Sequence, residues 1–350
     1  MTPALSVLDL VPVRTDQTTG DAVQASLALA RLADELGYTR YWLAEHHNMP
    51  AVAATNPPVL MALMASATRR IRVGSGGVML PNHAPMVVAE QFALLEAAFP
   101  GRIDLGIGRA PGTDPVTRYV LRDGASDAMG DSAVDRFPDH VDNVLAMMDT
   151  TGVSIALGGR RHELHATPAA TSVPAIWLLG SSDYSARLAA EKGLPYVFAH
   201  HFAGSAADTR AAIDLYRSGF RPSDQLAEPR TFLTVNASVA ETREEAERQA
   251  LPQLLTMLRL RTGAPLTAQQ LVEEAEKEEV PEAHQGLLDA MRRRWVIDAP
   301  AAARERIAAL AGEYGVDEVM VNPVGGAHVG DPVDRAPGRE QTLRLLAAVD

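Results

Sequence analysis

The 350-residue sequence predicts a (β/α)8 TIM barrel with insertions. Three observations lead there. Eight short apolar segments with strand character recur along the chain, mostly separated by helical segments, which is the rhythm of parallel α/β folds. The residues able to do chemistry fall just after those segments, at Glu45-His46-His47, Ser75-Gly76-Gly77, Arg109, Ser181-Ser182 and His200-His201. In a barrel the C-terminal strand ends carry the active site. The first strand is followed by Arg14-Thr15-Asp16-Gln17. The runner-up architecture, a doubly wound open sheet, usually has a glycine-rich turn there.

Taken in order, residues 5–13 read as a short apolar strand with turn chemistry after it at 16–20. Residues 21–37 read as a helix, because Val23, Leu27, Ala30, Leu32 and Leu36 recur at helical spacing and Gly37 fits the stop. A strand at 39–45 leads to a helix at 56–68, with Asn56 as the cap ahead of Pro57 and Pro58. The third strand is expected at 71–80, the third helix at 85–99 and the fourth strand at 102–108. Residues 110–136 are polar and rich in Asp and Gly, which predicts a long loop of the kind that serves as a lid or binding segment. A helix at 137–149 and a small hairpin at 151–167 follow. Strands at 174–179, 196–199 and 230–239 alternate with helices at 183–192, 206–218 and from 242 onward. Residues 252–296, with Pro265, an acidic run at 273–279 and Pro281, read as a solvated helical excursion, with a mobile lid as the sharper alternative. A helix at 301–314, a last strand at 318–322 and a closing helix at 339–349 complete one barrel domain over 1–350, with insertions near 110–136, 151–170 and 252–296.

Composition narrows the function. With 47% apolar residues the chain can bury a sizeable core. A net charge of −12 argues against nucleic acid or an anionic membrane as the main partner, yet leaves room for a local basic pocket. Lys192 and Lys277 are the only lysines, so arginine carries nearly all the positive charge. The absence of cysteine excludes disulfides, thiolate metal sites and cysteine nucleophiles. No apolar stretch is long enough to span a bilayer and the N-terminus does not resemble a secretory signal, so the expected location is the cytoplasm.

Two glycine-broken strands are the most informative stretches: Ile71-Arg72-Val73-Gly74-Ser75-Gly76-Gly77-Val78-Met79-Leu80-Pro81 and Gly101-Arg102-Ile103-Asp104-Leu105-Gly106-Ile107-Gly108-Arg109. Glycine inside a strand marks a bulge or a close approach of ligand to backbone. Together with Trp42-Leu43-Ala44-Glu45-His46-His47 and Leu179-Gly180-Ser181-Ser182, in this order and spacing, they resemble the bacterial-luciferase-like flavin-dependent oxidoreductases. The similarity covers residues 5–203 and resumes near 318. The resemblance implies a barrel that binds FMN, usually as reduced flavin delivered by a separate reductase, and reacts it with O2. It also implies a homodimer. A branch of the same superfamily uses the deazaflavin F420.

The resemblance implies a bulge with a non-proline cis peptide beneath the flavin ring, at Ser75–Gly76, with Gly77 beside it. The alternative is a glycine-softened strand with trans bonds. It assigns the phosphate to Arg109 and Ser181, with Gly180, Ser182 and Tyr184 as further contacts. A helix start at Asp183 presents free N–H groups and a positive dipole end, and the Arg109 fork suits phosphate oxygens. Ordinary helix capping at 181–183 and a surface ion pair for Arg109 are the plain alternatives. The first histidine of the pair, His46, corresponds to an acid or base near the reactive flavin edge, a role suited to a side chain titrating near neutrality. Neighbouring strand residues face opposite sides, so His47 reads as structural. Separately, Glu45 reads as a hydrogen-bonded barrel residue, His83, in the turn before Pro85, as a turn residue, and one of His200 and His201, at the end of a second-half strand, as a ligand contact.

The leading function is therefore a monooxygenase using reduced FMN and O2 on a small organic substrate. The competing readings are an F420-dependent hydride-transfer enzyme, a metal-dependent barrel hydrolase and a non-catalytic flavin-binding protein. The hydrolase needs histidines and carboxylates spaced over several strand ends, whereas these histidines come in adjacent pairs. No metal is expected.

Overall fold

A computed structural model describes residues 2–122, 132–149, 151–202 and 206–348. Eight parallel strands close into a barrel: β1 (Ala4–Asp9), β2 (Arg40–Leu43), β3 (Arg72–Ser75), β4 (Ile103–Gly108), β5 (Ala175–Gly180), β6 (Tyr196–Phe198), β7 (Thr231–Val239) and β8 (Glu318–Pro323). Closure is by β8 against β1, with Ala4 opposite Glu318 and Val7 opposite Val321. The helices that follow the strands are α1 (Thr19–Glu35), α2 (Pro57–Ala67), α3 (Pro85–Ala98), α4 (Phe137–Met148), α5 (Asp183–Lys192), α6 (Ala206–Gly219), α7 (Pro300–Tyr314) and α8 (Pro337–Ala347). No helix among the described residues is long and apolar enough to cross a membrane.

Local chemistry sets the helix starts. Thr18 and Asp21 form a capping box that begins α1 two residues earlier than its apolar periodicity suggests. Asn56 caps α2, its side chain accepting the Val59 N–H at 3.3 Å. The expected third strand is broken. β3 stops at Ser75, and Val78–Met79 then pairs with the end of β4. Gly74 opposes Asp104 while Val78 opposes Ile107, so the third strand spends four steps where its neighbour spends three, which is a β-bulge. The non-proline cis peptide expected at Ser75–Gly76 lies one bond further on, at Gly76–Gly77. The reason is local: Ser75 still holds ladder register opposite Leu43, and its Oγ is bonded to the Gly106 backbone. The extra residue must therefore fall after it.

The hairpin at Val153–Leu157 and Arg160–Leu164 forms as expected. The stretch expected to be a loop at 110–136 contains a helix at Pro115–Leu121, capped by Asp114; residues 123–131 of that stretch lie outside the described residues, as does the end of the closing helix at 349. The excursion at 252–296 begins inside a helix, Arg243–Thr262, which carries Pro252 within it. It ends on the first residue of a short strand, Val296–Asp298, that pairs with β7 and that the sequence pattern does not suggest.

The barrel interior is a packed plug. Trp42, Trp177 and Phe232 meet at ring-centroid distances of 5.0–5.9 Å, with Leu8, Val197 and Met320 beside them. Below it, Arg40 pairs with Asp104 at 2.7 Å and Glu318 at 2.8 Å, and Asp104 also accepts the Trp42 Nε1–H at 3.0 Å. Removing one partner of such a buried pair strands a charge at a cost of about 3–5 kcal/mol. This floor is structural and leaves the opposite, C-terminal mouth for ligands.

Candidate active site

A cavity of about 540 Å³ opens at that mouth. It is lined by seven of the residues singled out in the sequence, His46, Gly76, Arg109, Gly180, Ser181, Ser182 and His201. Three others lie behind its wall. Ser75 is fully buried, and its Oγ staples the third strand to the fourth by donating to Gly106 O at 2.9 Å and accepting Gly106 N–H at 3.0 Å. Gly77 faces Gly106 and Leu179. Tyr184 sits under Arg109, with the guanidinium carbon 3.8 Å from the ring centroid, a cation–π platform.

The glycines of this wall are required by packing alone. A Cβ on Gly74 would lie 2.4 Å from Trp42 Nε1, one on Gly76 2.7 Å from Leu8 Cδ1, and one on Gly106 2.1 Å from Ser75 O. The bare backbone that Gly76 offers to the cavity follows from how tightly the third and fourth strands sit on the aromatic plug.

Arg109 follows β4 and rests on α5 through Tyr184. Among the described residues it has no ion-pair partner. Ser182 is the extended N-cap of α5, and its side chain makes no capping bond. The N-terminus of this ten-residue helix therefore keeps backbone donors uncapped by that hydroxyl beside Ser181, Ser182 and the guanidinium. Donors from two elements converge on one wall, and no carboxylate lines the cavity among the described residues. This arrangement favours an anion.

Both cavity histidines are held neutral. Burial lowers the pKa of His46, against the opposing pull of the Gly112 carbonyl and the Glu45 charge. Its Nδ1 is 3.2 Å from Gly112 O; since a carbonyl only accepts, Nδ1 carries the proton and neutral His46 leaves Nε2 able to accept one. His201 is pushed down to about 3, first by burial and then by the charges of His200 and His46. Its Nδ1 bonds Thr234 Oγ1. His200 turns away to Thr209 Oγ1 at 2.7 Å and packs on Tyr314, so His201 is the member of the pair at the cavity.

Behind His46, Glu45 organises the wall. Burial opposes its charge, but bonds to His47 Nε2 at 2.8 Å, His83 Nε2 at 2.7 Å and Met79 N at 2.9 Å hold it at about 2. His47 and Glu45 are thus tied to each other, as expected of wall residues, while His83 does more than shape its turn. The nitrogens of both histidines converge on one carboxylate oxygen, and no group of three ligating side chains able to hold a metal occurs among the described residues.

The sequence reading missed one side of the chamber. Met257, Leu260 and Arg261 line it from the helix Arg243–Thr262, with Phe202 after β6. Their spacing of three and four residues puts them on one helical face, but nothing in that pattern says that the face meets the barrel mouth.

A closed parallel barrel with a polar-walled chamber at its C-terminal face is the architecture of a TIM-barrel enzyme. A family model described as luciferase-like monooxygenase matches residues 4–318. The chain belongs to the luciferase-like monooxygenase family. YvbT of Bacillus subtilis (strain 168) is 40% identical over 318 residues, 91% of this chain and 90% of its own. A luciferase-like monooxygenase of Escherichia coli (strain K12) is 39% identical over 324 residues, 92% of this chain and 91% of its own. The crystal structure of apo-MsnO8 superposes with a TM-score of 0.82 at 34% identity, covering 99% of this chain and 96% of that one. Two more distant barrels share the fold. One is the oxygenating constituent of 3,6-diketocamphane monooxygenase from Pseudomonas putida in complex with FMN, at TM-score 0.72 and 18% identity, covering 99% of this chain and 97% of that one. The other is an F420-dependent secondary alcohol dehydrogenase, at TM-score 0.67 and 15% identity, covering 99% of both chains.

Proposed function

We propose that the protein is a flavin-dependent monooxygenase that uses reduced FMN and O2 to oxidise a small organic substrate in the mouth cavity. One observation carries the reading: Arg109, stacked on Tyr184 and without an ion-pair partner among the described residues, stands with Ser181 and Ser182 at the uncapped start of α5. That donor set fits a phosphate monoester and has no other evident use. Gly76 fits the other end of such a cofactor, because a strand without a side chain lets a flat ring approach backbone. Bound reduced FMN supplies the electrons that activate O2.

The protein's own part is then positional and electrostatic. Arg109, Ser181, Ser182 and the α5 amides would hold the phosphate, with Gly180 beside them at the cavity, where a Cβ would lie 2.7 Å from Ser185 Oγ. His46 takes or returns a proton at Nε2, with its ring fixed by Gly112 and its backbone N–H bonded to Ala54 O at 2.8 Å. Leu8, Leu10, Leu179 and Met257 make the rest of the chamber apolar, which limits water around the reacting atoms. A separate reductase delivers the reduced flavin, and the working unit is a homodimer.

The test is an anaerobic titration of purified protein with reduced FMN, oxidised FMN, riboflavin and F420, followed by O2 uptake on mixing with air. Reduced FMN should bind more tightly than riboflavin, and its bound form should consume O2. Tight F420 binding with no response to either FMN form would replace the monooxygenase reading with hydride transfer.

A further inference from the structure

Arg261 sits in the last turn of the helix Arg243–Thr262, one residue beyond Leu260 and one helical turn beyond Met257, and all three line the cavity. The other arginines of this helix are paired: Arg243 with Glu247 at 3.0 Å, Arg248 with Glu245 at 2.8 Å and Glu276 at 2.6 Å, and Arg259 with Glu278. Arg261 has no acidic partner among the described residues. Its one contact there is a long hydrogen bond from Nη2 to Phe202 O at 3.4 Å. The chain carries 44 acidic against 32 basic residues, and each of the three other arginines of this helix has taken a carboxylate. A favourable place at a helix C-terminus accounts for basic residues in this turn. It does not account for one arginine being left unpaired while facing the chamber.

A second cation stands nearby. The Arg294 guanidinium is lowered from its ordinary value first by burial and then by the charge of Arg261. Arg294 does not line the cavity; its charge adds to the positive potential around Arg261, which favours an anion at the rim. Arg109 cannot be serving the same ligand group by default. It follows β4 and rests on α5, whereas Arg261 arrives from the insertion after β7, with the ends of β5 and β6 between them in barrel order. The cavity surface that leads inward from Arg261 is apolar, through Leu260, Met257 and Phe202.

We infer that Arg261 is a specificity residue for substrates that are amphiphilic acids: an apolar body fills the chamber and a carboxylate or similar single anion is held at the rim. This rests on reading the chamber as the place where substrate is oxidised, and it deepens that reading by naming the substrate class.

The test uses octanoate and octan-1-ol as probes, with binding measured by calorimetry on the full chain in the presence and absence of FMN. The variants are Arg261→Gln and Arg261→Lys. Octanoate should bind the native protein about fivefold more tightly than octanol, the size expected of an exposed charge-assisted contact. Arg261→Gln should remove that advantage, Arg261→Lys should keep part of it, and octanol, FMN and riboflavin affinities should stay within twofold. No binding of octanoate, equal binding of acid and alcohol, or an equal loss of both in Arg261→Gln would overturn the inference. A loss of FMN affinity with riboflavin unchanged would also overturn it, by making Arg261 a cofactor phosphate ligand. If FMN fails to bind while octanoate discrimination persists and depends on Arg261, the acid site stands and the cofactor reading falls.

Discussion

Replacing Arg109 by alanine separates the phosphate of a flavin from its ring. In the structure the guanidinium lies 3.8 Å above the centre of the Tyr184 ring and has no carboxylate partner among the described residues, so truncation strands no buried acid and leaves the fold intact. The interaction lost is a charge-assisted hydrogen bond to a phosphate, worth about 1.5–3 kcal/mol. FMN should therefore bind roughly 10- to 100-fold more weakly to Arg109→Ala, while riboflavin, which lacks the phosphate, should change by less than about twofold. Tyr184 acts only through the arginine, by holding its fork in place, so Tyr184→Leu should cost about 1 kcal/mol of FMN affinity. In the Arg109→Ala background that second loss should vanish, because the platform then has nothing to hold. Flavin fluorescence quenching on titration with the four proteins gives the complete cycle. Equal losses for FMN and riboflavin, or a Tyr184→Leu effect undiminished by Arg109→Ala, would refute the reasoning.

Three further outcomes follow from the same geometry. Glu45→Gln should destabilise the protein by about 3 kcal/mol at neutral pH, from a carboxyl held at about 2 in the fold against its ordinary 4.5; that stability is present above pH 4.5 and is lost as pH falls toward 2, so in urea unfolding, followed by the three buried tryptophans Trp42, Trp177 and Trp295, the gap to the native protein should narrow in acid, and a gap independent of pH would argue against the ionised cluster. His46→Ala should leave FMN affinity nearly unchanged and lower turnover about 100-fold, and unchanged turnover would remove His46 from the chemistry. His328 is clamped between Glu273 at 2.7 Å and Glu245 at 2.8 Å, with Asp331 accepting its backbone N–H; burial opposes its charge, but the two carboxylates raise its pKa overall, so its charge-dependent stabilising share is complete below pH 6.5 and disappears as pH rises through the raised value, and the loss of melting temperature in His328→Gln should be largest at pH 6 and shrink steadily as pH is raised.

The alternation of strands and helices was legible because each element carries its own periodicity. All eight barrel strands fall within or beside the apolar runs that predict them, although the first stops at Asp9 and the third is broken after Ser75, and α5 spans the residues its pattern predicts. What depends on contacts between distant residues was not legible. The bulge falls after Ser75 because Ser75 is tied to Gly106, a bond across 31 positions. Glu45 and His83 meet across 38 positions. The short strand at Val296–Asp298 exists because β7 runs on past its three-residue pairing with β6 and leaves an edge at Ala237–Val239. At the site, the motif-borne residues His46, Arg109, Ser181 and Ser182 were visible in sequence. Met257, Leu260 and Arg261 were not, because an insertion brings them to the mouth by tertiary docking, and a helical face alone does not say what it will face.

The interlock of Gly74 with Trp42, and of Gly106 with Ser75, has an evolutionary corollary. A sequence drifting away from catalysis would still be obliged to keep those small residues, since enlarging any one jams the inner girdle before a ligand is ever considered. Finding them in a relative would therefore certify an intact scaffold and say little about chemistry. Divergence of activity has to be written into the peripheral segments, where tolerance to change is greatest.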